Sequence, residues 1–377
     1  MTHRERVLTT LRREPPDRVP VDIGGTLAST LNIHTYRRLM RHLGFGDDPP
    51  AAYLSRRSNS VLPDEQLLRH LDVDCRAVLL GSPDRHPEQE LPDGTITDEW
   101  GVTWKHVGEG QHYINAGGPF YKDEPGPSAV EAFAWPDPLD SGRFRSLRSQ
   151  AHTHQLAHDA ALVLVLGTGP VHQLQFMRGY AAALEDMIAN PAFVEAFLAR
   201  YADFWVCMAE KALTDVADLI DVVMFGDDLG MQQGPAMSPA LYRRMLKPTH
   251  ARMVQTVKRF GKPVLLHSCG SMTALIPDLI EIGFDALHPI QVSAKDMDTG
   301  RLKKEFGRDL AFWGAIDTQR VLPRGTLAEV RAEVRQRIAD LAPGGGYILG
   351  AVHNIQAEVP VENILAMVNA AREFGKY

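Results

Sequence analysis

The run Val264-Leu-Leu-His267-Ser-Cys269-Gly270 places an imidazole and a thiol two residues apart at the end of an apolar stretch. In extended backbone, residues i and i+2 share a face, so both side chains project to one side. A neutral imidazole and a thiolate so arranged can be a pair of ligands for Zn²⁺, which takes nitrogen and sulfur donors in a tetrahedral shell. Gly270 and Ser271 start the next helix in this reading, and its free amide groups would lower the thiol pKa or bind an anion. The bland alternative is a packed histidine and an inert thiol; the position at the carboxyl end of a strand argues for chemistry. A third group comes from Gly350-Ala-Val-His353-Asn-Ile-Gln356. His353 can be a third ligand, a general acid/base or a substrate hydrogen-bond partner, and its bland reading is a bond to a loop carbonyl.

Polar residues crowd the ends of nearly every other apolar run. Phe225-Gly-Asp227-Asp228 sets two carboxylates side by side, a costly arrangement unless water, a cation or hydrogen-bond donors meet them. One of Asp227 and Asp228 is expected to face the site and the other to cap the following structure; both are candidate acid/base groups beside His353. Gly167-Thr-Gly-Pro170 leads to His172, Gln173 and Gln175. His288 and Gln291, Asp317 and Gln319, and Asp22 with Gly24-Gly25 follow the same pattern. Each alone reads as structural; together they outline a polar, glycine-lined bowl.

Bringing such ends together requires parallel strands. Short apolar runs at Val19–Gly24, Cys75–Gly81, Leu162–Gly167, Leu219–Gly226, Pro263–His267, Ala286–Ile290, Leu310–Ile316 and Tyr347–Val352 alternate with segments of helical period. Eight runs of this kind predict an α/β fold, a single (β/α)8 TIM-type barrel over residues 1–377 with an N-terminal helical extension. Ser238-Pro239 reads as an N-cap with proline at the first helical position, and Ser271 as a cap for Thr273–Ile282, closed by Gly283. Pro360 opens the last helix. Residues 82–149, between the second and third strands, break the alternation and form a β-rich insertion, with period-two character over Gly94–Lys105. This segment is either decoration or a cap over the barrel mouth.

The 377 residues are 44% hydrophobic and 23% charged with a net charge of −7, and no basic block stands out. Nucleic acid and anionic membrane are therefore disfavoured as partners. Three cysteines make a poor disulfide framework, and no apolar run reaches membrane-spanning length, so a cytoplasmic protein is expected. The Walker loop, the dinucleotide GxGxxG, the His-Glu-x-x-His helix and the Gly-x-Ser-x-Gly elbow are absent.

Over essentially its full length the chain resembles the uroporphyrinogen decarboxylase superfamily. The resemblance is carried by Arg18-Val-Pro-Val-Asp22, Gly226-Asp-Asp-Leu-Gly230, Met237-Ser-Pro-x-Leu-Tyr242, Lys247-Pro248, His267-Ser-Cys-Gly270, Phe312-Trp-Gly-Ala-Ile-Asp317, Val352-His-Asn-Ile-Gln356 and Pro360-x-Glu-Asn363-Ile. It implies a distorted (β/α)8 barrel, often a homodimer with neighbouring mouths. One chemistry of the superfamily is decarboxylation of tetrapyrrole acetates, with substrate carboxylates clamped by an Arg-Gln-Ala-Gly-Arg motif. Here that position reads Asp22-Ile-Gly-Gly-Thr-Leu-Ala28, without arginine, and a substrate with many carboxylates needs cationic partners.

The other chemistry is methyl transfer between a methylated corrinoid and a thiol, at a zinc held by His-x-Cys and a later cysteine. His267 and Cys269 match the first two positions, and the later one falls near His353, since no cysteine follows Cys269. The resemblance thus implies a His267–Cys269–His353 zinc site and a corrinoid (cobalamin) co-substrate, free or on a partner protein. His172, Gln175, His288 and Gln291 are the residues expected to meet that corrinoid. The alternatives are a metal-free decarboxylase or lyase of a small carboxylated substrate, using Asp227 or Asp228 with His353, and a non-catalytic corrinoid- or tetrapyrrole-binding protein.

Overall fold

The computed structural model describes residues 1–46, 51–108, 112–122, 124–157 and 159–377. Seven strands, β1 (Cys75–Leu79), β2 (Ala161–Thr168), β3 (Val222–Gly226), β4 (Val264–His267), β5 (Ala286–His288), β6 (Ala311–Ile316) and β7 (Tyr347–Ala351), form one parallel sheet in chain order. Helices between them cover its outer face, as parallel crossovers require. Alternate residues divide the sheet into two cores. Cys75, Ala77, Ala161, Val163, Val165, Val222, Met224, Leu265, Ala286, Ala311, Trp313 and Ile348 pack together inside the curl. Leu162, Leu164, Val223, Phe225, Leu266, Leu287, Phe312 and Leu349 face the helix layer. The N-terminal helix His3–Leu11 adds Val7 and Leu11 to the inner cluster. That leaves the carboxyl ends of the strands as the open mouth.

The eighth stave differs from the sequence expectation. Val19–Gly24 is not a regular strand: Val21 makes a single parallel bridge to Leu349 of β7. On the other side the Asp74 amide donates to the Val21 carbonyl, while the Asp74 carboxylate accepts from the Val21 amide. A carboxylate thus stands where a strand carbonyl would pair, so the curl closes through one residue on each side. The chain then turns at Gly24, whose φ of +88° suits glycine, with Pro63 filling the space a Cβ would take.

Asp22, at this junction, is fully buried and accepts from Trp313 Nε1 and the Gly25 amide, both at 2.8 Å. Burial lifts its carboxyl to about 6. The folded chain therefore keeps a proton that the unfolded chain loses near pH ~4, and stability falls as pH rises through 6. The expected loss is about 3 kcal/mol in all, roughly half of it above pH 5. Asp22→Asn should flatten this decline, which urea midpoints at pH 5 and 7.5 would measure.

The expected β-rich insertion is present between β1 and β2, with residues 109–111 and 123 outside the described residues. Gln89–Glu90, Ile96–Thr97, Thr103–His106 and Tyr113–Gly117 make an antiparallel meander. It docks on the helix Pro170–Arg178 through Trp104, edge-on to Phe176 at 4.8 Å, and through Asn115, which donates to the Phe176 carbonyl. Of the helix punctuation, Ser238 caps Pro239–Met245 by accepting from the Leu241 amide, and Pro360 precedes Val361–Phe374. Among the described residues no helix is long and apolar enough to cross a membrane.

Candidate metal centre at the barrel mouth

Strand parity delivers the site residues. Leu265 points into the curl, so His267 two residues on does too; Val222 and Met224 carry the same alternation through Gly226 to Asp228. Asp227 shares parity with Val223 and Phe225 and points to the helix layer. The loop after β4 is pinned on three sides. The Cys269 amide donates to Asp228 Oδ1 at 2.9 Å, the Gly270 amide to Gln291 Oε1 at 2.8 Å, and Ser268 Oγ accepts from the Leu229 amide at 2.9 Å. Gly270 has φ +91°, and a Cβ there would lie 2.3 Å from the Gly230 backbone. Glycine after the cysteine is therefore a steric requirement of this close approach.

One expectation fails in this loop. The helix begins at Ile276 and has no side-chain cap, although Gly283 does close it in the left-handed conformation. Cys269 consequently gains nothing from a helix N-terminus. Burial instead pushes its thiol well above the ordinary range, and Asp228 adds to the shift.

His267, Cys269 and His353 come together from β4 and the turn after β7. One ligand atom of each lies within 4.8 Å of the others, and Cys269 Sγ is 3.6 Å from His267 Nε2. The edge of a tetrahedral zinc shell with nitrogen and sulfur ligands is ~3.5 Å. The His267–Cys269 pair already has that spacing, and His353 lies within 4.8 Å of both. The donor set fits zinc. Burial lowers the pKa of His267 to about 3, against the pull of Asp228, and also lowers that of His353, with His112 and His172 acting in the same direction. Both imidazoles are therefore neutral near pH 7, each with a lone pair to offer.

Asp228 faces this cluster. Burial works against its ionisation, but His172, His267 and the Cys269 amide outweigh it and hold its carboxyl below the usual range. Its oxygens lie 3.5 Å from His172 Nε2 and 3.7 Å from His267 Nε2. Asp227 has a different place: fully buried, it accepts from the Val171 and His172 amides and from His250 Nε2 at 2.8 Å, so it caps the helix Pro170–Arg178. Tyr242 stands behind His250, its hydroxyl 3.1 Å from Nδ1.

The four residues expected to meet a corrinoid divide into two pairs. His172 and Gln175 line a cleft of about 250 Å³ with Asn115, Phe176, Tyr180, Asp228 and Gly230. His172 stacks on Phe176, and Gln175 Nε2 is buried with no hydrogen-bond partner among the described residues. His288 and Gln291 lie behind the His267–Cys269–His353 cluster instead. His288 is fully buried against His267, and Gln291 is committed to the Gly270 amide. Sequence reading missed His250, which sits inside a helix with no local signal, and it missed Asn115, which reaches the cleft from the insertion.

The sequence pattern of the uroporphyrinogen decarboxylase (URO-D) family matches residues 102–374. The chain belongs to this family. Within it, the chain is 24% identical over 254 residues to the methylated-thiol–coenzyme M methyltransferase of Methanosarcina mazei, covering 64% of this chain and 62% of that protein. It is 27% identical over 252 residues to the methylcobamide:CoM methyltransferase MtaA of Methanosarcina barkeri, covering 65% and 71%. Against the first of these the chain spans less than two thirds of the relative's length. A solved structure described as a methyltransferase from Methanosarcina mazei superposes on this URO-D family chain with a TM-score of 0.68 over 99% of both chains, at 19% identity. That likeness is one of fold.

Proposed function

We propose that the chain is a zinc-dependent methyltransferase that moves a methyl group between a small methylated substrate or thiol and a corrinoid. The observation that carries the reading is the gathering of one ligand atom each from His267, Cys269 and His353 within 4.8 Å at the barrel mouth. The names of the two methanogen relatives support it. So does the lack of arginine in Asp22–Ala28, where a tetrapyrrole decarboxylase would hold substrate carboxylates.

His267, Cys269 and His353 would hold the ion. Bound there, zinc supplies the positive charge that lowers the pKa of an acceptor thiol and makes it nucleophilic at neutral pH. Asp228 holds the Cys269 loop through its amide and sets a negative charge beside the two imidazoles. His172, Gln175, Phe176 and Tyr180 offer stacking faces and hydrogen-bond donors to the co-substrate, free or carried by a corrinoid protein. The insertion, residues 82–149, acts as a cap that sheds water from the mouth; Asn115 in the cleft and the effect of His112 on His353 support this role. Three unpaired cysteines suit a reducing, cytoplasmic setting.

Metal analysis together with a methylcobalamin demethylation assay over a panel of small thiols tests the reading. The expected result is one zinc per chain and thiol-dependent loss of the methyl–cobalt absorbance, abolished by a chelator. A protein that takes up no zinc, and that releases CO2 from a carboxylated substrate in a chelator-insensitive way, would overturn it in favour of a decarboxylase.

A further inference from the structure

His267 and His288 are register partners on the adjacent parallel strands β4 and β5. Their rings meet inside the curl with the two Nδ1 atoms 2.8 Å apart. Only one of these nitrogens can carry a hydrogen at that distance, and one must, because two facing lone pairs repel. His288 is fully buried, and its other nitrogen, Nε2, has no hydrogen-bond partner among the described residues. The Ala351 carbonyl oxygen and His288 Nε2 lie 3.3 and 3.5 Å from the Cβ position of Gly314, which sets a backbone carbonyl on the Nε2 side of the ring. A carbonyl oxygen only accepts, so Nε2 is the protonated nitrogen of His288 and Nδ1 is its acceptor. Neighbouring backbone is shaped around the ring. Gly314 of β6 has φ +97°, and a Cβ there would lie 3.4 Å from His288 Cδ2.

We propose that His288 is a positioning residue whose Nδ1 accepts from His267 Nδ1–H and so fixes the tautomer in which the His267 Nε2 lone pair faces Cys269 and His353. This rests on the reading of His267 as a zinc ligand, and it assigns His288 a role other than contact with the co-substrate. With the opposite arrangement, His267 would present Nε2–H to the cluster and could not ligate. Metal-bound histidines need such a partner for their second nitrogen, and its loss weakens metal affinity by about 10–100-fold.

The test compares wild type with His288→Leu, which removes the acceptor, and His288→Asn, whose Oδ1 can stand where Nδ1 stood. Histidine-selective ¹⁵N NMR of metal-free protein reads the tautomer directly. Wild type and His288→Asn are expected to hold His267 as Nδ1–H with bare Nε2, whereas His288→Leu shifts it toward Nε2–H. Zinc titration against a chromophoric chelator should give an affinity about 10–100-fold weaker for His288→Leu and largely restored for His288→Asn. A wild-type His267 protonated at Nε2, or unchanged zinc affinity in a folded His288→Leu, would overturn the inference. Should wild type bind no zinc while keeping the expected tautomer, the metal reading fails and the positioning role stands. The wild-type spectrum decides the tautomer even where the leucine variant does not fold.

Discussion

Cys269→Ala is expected to strip zinc from the protein and to lower methyl transfer by about 10³-fold or more, the equivalent of several kcal/mol of transition-state stabilisation. The fold should survive. Cys269 forms no disulfide, and its loop is held by the Cys269 and Gly270 amides, which alanine retains. Circular dichroism and thermal midpoints should therefore match those of metal-free wild type within the spread of a surface change. The same chemistry sets a pH dependence in wild type. Burial keeps the metal-free Cys269 thiol protonated at neutral pH, whereas His267 and His353 are already deprotonated. Zinc must displace one proton, so apparent affinity should rise about tenfold per pH unit between 6 and 8. Calorimetry in two buffers of different ionisation enthalpy should report release of about one proton. A pH-independent affinity would mean that Cys269 is not a ligand.

Asp227→Ala should produce the second large effect, on stability. The change leaves two helix amides and His250 Nε2 without their acceptor in a site closed to water. Removing one side of a buried, charge-assisted network costs about 3–5 kcal/mol. The 2.5 Å approach of a Gly169 Cβ position to Asp227 leaves little room for the site to repack. Asp228→Asn is the contrasting variant: its partly exposed amide still reaches the Cys269 amide, so stability should change by less than about 1 kcal/mol. Its effect should fall on turnover, because the negative charge beside the two imidazoles is lost. Urea unfolding and steady-state rates measured side by side separate the two aspartates. Equal stability losses in both would refute the division of roles.

Half of that division is legible in the sequence. The adjacent carboxylates marked one as facing the site and the other as a cap, but choosing between them needs the parity of β3. Parity follows once Val222 and Met224 are known to point inward, and both neighbours, Val223 and Phe225, are equally apolar. A strand buried on both faces hides its own alternation. The first stave departs from the expected strand for a related reason. Val19–Gly24 has strand-like composition, but its pairing is taken over by the Asp74 carboxylate, a partner about fifty positions away. Ser271 was a sound cap by residue type, but the Cys269–Gly270 loop is pulled toward Gly230 and delays the helix to Ile276.

His267 and Cys269 could be found without coordinates as two donor types at the carboxyl end of one apolar run, although Cys269 lies in the loop just past β4 and the bond of its amide to Asp228 helps to seat it. The family, the parallel α/β alternation and the β-rich insertion were likewise legible from local pattern. The resemblance already implied that His353 joins them; tertiary structure alone decided that His288 lies behind His267 rather than in the cleft, and that Asn115 reaches the mouth from the insertion. Each of those depends on which strand ends meet when the sheet curls. That is a long-range packing outcome of the inner and outer cores, and no short run of sequence encodes it.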